Sequence, residues 1–165
     1  GATILPWRLR LVVQLVDVPE GRIPSLSERD IASWRALYDM DLGPLLERSA
    51  GAQTNFSDGA RFLAALPRCS EPFEMGEIDL RHATVPSIDT TFTVTATRAA
   101  RQVGLALGYS LDLSPKVTLE VGPQGGDTHW SWPIFTTLAP RGVEIGEGVK
   151  VGLQRDRSQC TLSLE

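Results

Sequence analysis

Few residues of this 165-residue chain are equipped for chemistry. Its two histidines, His82 and His129, have no partners at metal-ligand spacing, so no metal site is expected. The two cysteines, Cys69 and Cys160, make neither a disulfide framework nor a metal set, and reduced thiols are expected. No G-x-S-x-G, P-loop or H-E-x-x-H motif occurs, and no G-x-G-x-x-G follows a strand. The chain therefore has no phosphate or dinucleotide cradle of its own. What stands out is Asp127-Thr128-His129-Trp130-Ser131-Trp132-Pro133, an ionisable ring and two indoles behind Gly122-Pro123-Gln124-Gly125-Gly126. Those glycines read most simply as a connection between strands. Trp130 and Trp132 stand at i and i+2, so within a strand both would point to one face. Two uses are open: both indoles plug the core, or one of them stands with His129 at the mouth of a pocket.

The composition bounds the rest. Apolar residues make up 42% of the chain, charged residues 22%, and the mean hydropathy is −0.06, values of a globular protein and not of a disordered tail. A chain of this length buries about 68–70% of its unfolded surface and needs no cross-link to fold. Its longest apolar runs are too short to span a bilayer, and no signal-peptide order is present at the amino end, so a cytoplasmic protein is expected. The net charge of −4 and pI of about 5.2 speak against nucleic acid or an anionic membrane as a partner. Among 16 basic residues only Lys116 and Lys150 are lysine. With abundant Ala, Gly and Leu, that reads as GC-rich coding bias and not as an arginine-driven site. Gly1-Ala2-Thr3 runs almost at once into a strand, as expected of a piece of a longer chain.

The elements that must position the motif follow from periodicity. Residues 7–18 read as a strand with Leu9, Leu11, Val13, Leu15 and Asp17 on one face and Arg8, Arg10, Val12, Gln14 and Val16 on the other. Ser25-x-x-Glu28 and Ser27-x-x-Asp30 have capping-box spacing, and Ile31, Trp34, Leu37 and Tyr38 then recur at helical spacing. That helix either covers one end of the fold or projects to meet a partner. A short second helix is expected through Leu45, Leu46 and Glu47, and a loop over 49–59. From there the period is two, with strands expected near 60–66, 73–82, 90–98, 103–113, 117–121, 130–138, 149–155 and 159–164. The expected fold is mainly β, a distorted β-barrel or sandwich with a helical arm inserted after the first strand.

Thr128-His129-Trp130, an apolar strand with Phe135, and Gly142-Val143-Glu144-Ile145-Gly146-Glu147-Gly148-Val149 follow one another in an order that resembles the carboxy-terminal β-barrel of the protein arginine methyltransferases. That family has a Thr-His-Trp loop, a strand ending in Phe and a V-x-x-G-(D/E)-x-(V/I) turn. Ile4-Leu5-Pro6 is similar to the family's passage into its barrel, and Glu77-Ile78-Asp79-Leu80 to the strand that leaves its arm. The stretch from Trp34 to Asp41 is similar to its dimerisation arm, although Tyr38-Asp39-Met40-Asp41 stands where a Gly-aromatic pair is usual. The likeness runs from about residue 4 to 155.

The resemblance implies a single barrel domain over 1–165 with an arm at about 25–50, and an S-adenosylmethionine-binding domain amino-terminal to it and outside this chain. It implies His129 in a supporting catalytic role, Thr128 and Trp130 at the substrate, and Trp34, Leu37, Tyr38 and Leu42 as arm anchors in a homodimer. It implies no cofactor-binding residue here. The substrate would be an arginine-containing protein or peptide, methylated by the complete enzyme and not by this chain alone. The alternatives are a non-catalytic protein-binding barrel of a degenerate relative and a carbohydrate-binding β-sandwich that stacks sugars on Trp130 and Trp132.

Overall fold

The computed structural model describes residues 6–23, 28–44, 53–56, 60–82, 88–123, 125, 130–138, 141–155 and 160–164. The chain is mainly β. Its strands are β1 (Arg8–Asp17), β2 (Gln53–Phe56), β3 (Phe73–Asp79), β4 (Ile88–Thr95), β5 (Val103–Ser114), β6 (Val117–Val121), β7 (Ile134–Thr137), β8 (Gly148–Arg155) and β9 (Cys160–Leu164). Helix α1 (Glu28–Tyr38) is inserted after β1, and α2 (Ala60–Ala64) precedes β3. One sheet runs β2-β7-β5-β1-β3 with β6 also on β5, and a second runs β4-β8-β9. Among the described residues all pairings are antiparallel, and the sheets do not close into a barrel.

The alternation seen in the sequence explains how the layers form. Val13 and Leu15 of β1 and Val103 and Leu105 of β5 face Val94 of β4, Val149, Val151 and Leu153 of β8 and Leu164 of β9, making the core between the sheets. The rings of Phe73 and Phe92 stack 4.7 Å apart with an interplanar angle of 5°, joining β3 to β4 across the layers. The opposite face of β1 and β5 is also covered. Val16, Val18, Ala106, Val121 and Ile134 pack there with Leu63 and Leu66 from the α2 segment and with Trp132. Residues 13–16 of β1 are consequently buried on both faces.

Three expectations are corrected. Residues 60–66 are not a strand. Ala60–Ala64 is a helix that seats Leu63 and Leu66, three positions apart, in the second core before Pro67 ends it. A short apolar run fits either period, and here tertiary packing decides. The expected loop over 49–59 contains β2, a polar edge strand whose partner is β7. The strand expected over 130–138 is confined to Ile134–Thr137. The expected second helix at 45–47 lies outside the described residues.

The far end of β1 holds a charged cluster. Asp112 of β5 is buried and accepts from Thr118 Oγ1 at 2.7 Å, Arg8 Nε at 2.5 Å and Arg10 Nη2 at 3.3 Å. The Thr118 hydroxyl first, then Arg8 and the charges of Arg8 and Arg10, hold its carboxyl below the ordinary carboxylate range, against the opposing effect of burial. Asp79 is held low as well, chiefly by hydrogen bonds from Arg81. A carboxylate whose folded pKa is depressed contributes stability above its unfolded pKa of about 3.9, and loses it as pH falls toward the folded value. Urea midpoints should therefore drop between about pH 5 and about pH 2, and the Asp112→Asn variant should show the shallower drop. An identical slope in both proteins would remove Asp112 from this account.

Candidate functional site

Along one edge of β5 lies β1. Along the other, β6 pairs with residues 109–114 and β7 with residues 104–106. Between them the chain departs at Val121, opposite Tyr109, and returns at Pro133, whose carbonyl accepts the Leu107 N–H at 3.0 Å. The connection bearing the 127–133 motif thus stands with both feet on one strand, astride Gly108. That position admits only glycine, because a Cβ on Gly108 would lie 2.6 Å from the Val121 carbonyl oxygen. Gly122 has φ 136°, and a Cβ on it would lie 2.7 Å from the Gly108 Cα. The departing foot is closed by a Gly125 N–H to Gly122 carbonyl bond of 3.0 Å. These glycines do connect strands, as the sequence implies.

The two indoles part company at the returning foot. Trp132 is 3% exposed and sits in the second core, whereas Trp130 is 37% exposed. They do not share a strand face, because the chain is extended as a strand only from Ile134. One tryptophan plugs the core and the other is offered to solvent, which corrects the reading that places both indoles in the core. A two-indole sugar platform is thereby excluded, since only one ring is accessible. Trp130 lies against Tyr109, ring centroids 6.3 Å apart and tilted by 33°. Tyr109 was not picked out by the sequence, since its partner is distant along the chain. The residue is half-buried, and burial pushes its pKa up, keeping it protonated. Thr128 and His129 lie outside the described residues.

One cavity at the foot of the connection is small. Val12, Gly108, Ser110 and the turn at 120–125 enclose about 40 Å³, room for a few waters and not for a side chain. A larger depression of about 300 Å³ lies at the Val103 end of β5 among Asp17, Val18, Pro19, Glu20, Arg101 and Gln102. Of its two acids, Asp17 is already engaged, since its Oδ1 accepts the N–H groups of Arg101 and Gln102 at 3.1 and 3.3 Å. Among the described residues no three His, Cys, Asp or Glu side chains gather as metal ligands. No helix among them is long and apolar enough to cross a membrane.

Helix α1 carries the second group of expected residues and buries none of its own. Trp34, Leu37 and Tyr38 are exposed, Leu37 at 74%, and Met40 adds to the patch. The rings of Trp34 and Tyr38 lie 5.1 Å apart at 37° and brace each other. Leu42 is half-buried. The helix therefore does not lay its apolar stripe over an end of the sheets, one of the two uses open to it. It ends where Asp39 donates its N–H to the Arg35 carbonyl at 2.9 Å and takes φ 53°, the left-handed cap usually given to glycine.

No protein-family model matches the chain, and no curated protein does. Among solved structures it is similar to a crystal structure of PRMT6, with a TM-score of 0.52 and 17% sequence identity. The match covers 98% of this chain and 55% of that one, so this chain spans little more than half of its structural relative. The likeness is one of fold.

Proposed function

We propose that the chain is the carboxy-terminal barrel of an arginine-methyltransferase-like protein, one domain over 1–165 that forms a wall of the substrate cleft and carries a dimerisation arm at about 25–50. The observation that carries this reading is the connection standing on β5, which buries Trp132 as its anchor and presents Trp130 beside Tyr109. The fold likeness to PRMT6 over nearly the whole chain supports it, as does the unburied apolar face of α1.

In this reading S-adenosylmethionine, held by an amino-terminal domain outside this chain, would supply a methyl group to a substrate guanidinium nitrogen, its sulfur leaving as the thioether of S-adenosylhomocysteine. No cofactor contact is assigned to the present residues, which have no glycine-rich strand-to-helix turn. Trp130 offers its face to the apolar stem and cation of the substrate arginine. His129 hydrogen-bonds an acidic group of the other domain and orders the guanidinium or accepts its proton, while Thr128 fixes the loop. Much of the rate comes from placement, so the rigidity of the two feet matters more than any single group. Trp34, Leu37, Tyr38 and Leu42 anchor the arm on the cofactor domain of a second subunit in a cytoplasmic homodimer.

The test is methyl transfer from labelled S-adenosylmethionine to an arginine-rich peptide, by the two-domain protein and by this chain alone. Transfer is expected only from the two-domain protein. His129→Ala should lower its kcat/KM about tenfold, the size of one lost hydrogen bond to a charged group. Neither transfer nor S-adenosylmethionine binding by the two-domain protein would replace this reading with that of a non-catalytic protein-binding barrel.

A further inference from the structure

We propose that the depression at the Val103 end of β5 is a binding site for a guanidinium, the head of an arginyl side chain on a peptide. The site does not depend on the function proposed above. Its walls are Asp17, Val18, Pro19, Glu20, Arg101 and Gln102, and its volume of about 300 Å³ is that of a small ligand pocket. Gln102 is 8% exposed, and its side-chain amide is held by the nitrogen alone. Nε2 donates to Thr136 Oγ1 and to the Thr137 carbonyl, each at 3.1 Å. A carbonyl only accepts, and the Thr136 hydroxyl already donates to the Val103 carbonyl at 2.8 Å, so the amide cannot be turned round. Both of its N–H groups are thereby used, and its oxygen points away from the two threonines. Among the described residues nothing donates to that Oε1. It is an acceptor held in place on the wall of a depression, and a ligand that donates to it completes its bonding.

Two carboxylates share the depression with that oxygen. Asp17 ends β1, and the bonds from the Arg101 and Gln102 N–H groups to its Oδ1 fix the carboxylate. Its Oδ2 has no donor among the described residues. Glu20 follows in a turn closed by the Arg22 N–H on the Pro19 carbonyl at 3.3 Å, with Gly21 at φ 78°. It is exposed and pairs with no cation among the described residues. Arg101, the cation of the lining, is exposed as well. The site therefore sets two acids and a neutral acceptor against one cation, beside the apolar Val18 and Pro19. That balance selects a cationic donor and rejects an anion. A guanidinium suits it better than an ammonium, because its five N–H donors serve several acceptors at once and its weakly hydrated faces lie readily on apolar groups.

The test is a titration of this chain with N-acetyl-arginine methylamide, a blocked arginine, followed by the NMR shifts of the backbone amides. N-acetyl-citrulline methylamide, of the same shape without the charge, and free L-arginine are the comparisons. The Arg101 and Gln102 amides are the reporters, because both bond Asp17. They should shift saturably with the blocked arginine, at a Kd of about 1–10 mM. Citrulline should bind at least about threefold more weakly for want of charge, and free arginine likewise because its carboxylate meets the two acids. Glu20→Gln, an exposed change, should weaken binding of the blocked arginine about threefold. Gln102→Met, which keeps the length and removes the acceptor, should weaken it about tenfold, with the β8 amides showing that the fold is kept. If Gln102→Met does not fold, Glu20→Gln decides. No saturable shift at the two reporters, equal binding of citrulline, or Glu20→Gln without effect would each overturn the proposal. Tighter binding of free arginine would overturn a peptide as the occupant.

Discussion

Trp132→Ala should destabilise the chain by about 3–5 kcal/mol, the range for deleting a buried aromatic side chain. The residue is 3% exposed, and its neighbours come from every part of the second core. Val16 belongs to β1, Leu63 to α2, Ala106 to β5, Val121 to β6 and Ile134 to β7. No one element can move inward to fill the space, because each is pinned by its own pairing in the sheet or by its own seat in the core. The full cavity term should therefore be felt, and the melting temperature should fall by roughly 10 °C at about 2–4 °C per kcal/mol. Trp130→Ala is the contrast. It removes one half-exposed ring from a tilted pair, worth about 0.5–1.5 kcal/mol. Urea unfolding of both variants decides the matter, and equal losses would mean that the assignment of anchor and presented indole is wrong.

Gly122→Ala is expected to cost about 2–5 kcal/mol and to displace the connection that carries Thr128, His129 and Trp130. Two penalties meet at this residue. Its φ of 136° lies where side chains rarely go, and the added Cβ would sit 2.7 Å from a backbone atom of β5 that cannot rotate aside. Gly108→Ala attacks the same contact from the other side, at 2.6 Å from the Val121 carbonyl oxygen. Because both substitutions force the same two strands apart, the double variant should lose less than the sum of the singles. Gly76→Ala serves as the control. No atom lies within 4 Å of its added Cβ, and the loss there should stay near about 0.5 kcal/mol. Equal losses at Gly76 and Gly122 would show that the grip on β5 is not what holds the connection. If the proposed function holds, Gly122→Ala should also lower methyl transfer by the two-domain protein, since a displaced loop misplaces the presented ring.

Most of the fold was legible as period. Strands β1, β5, β6, β8 and β9 stand within a residue or two of where alternation puts them, because a half-buried sheet demands alternate apolar positions and turns demand Gly and Pro. Helix α1 was legible from its spacing of Ile31, Trp34, Leu37 and Tyr38. Segments too short to show a period were not. Ala60–Ala64 and Gln53–Phe56 took their conformations from what they touch, Leu63 and Leu66 in a core for one and the edge of β7 for the other.

For the candidate site, the residue types and their order were present in the chain itself. Which indole would be buried was not, since that depended on where β7 begins. Nor was the meeting of Tyr109 with Trp130 or of Gly108 with Gly122. Local spacing dictates local conformation and the side a residue faces. Contacts between distant residues arise only when strand order and register bring them together, and the packing of the whole chain sets both.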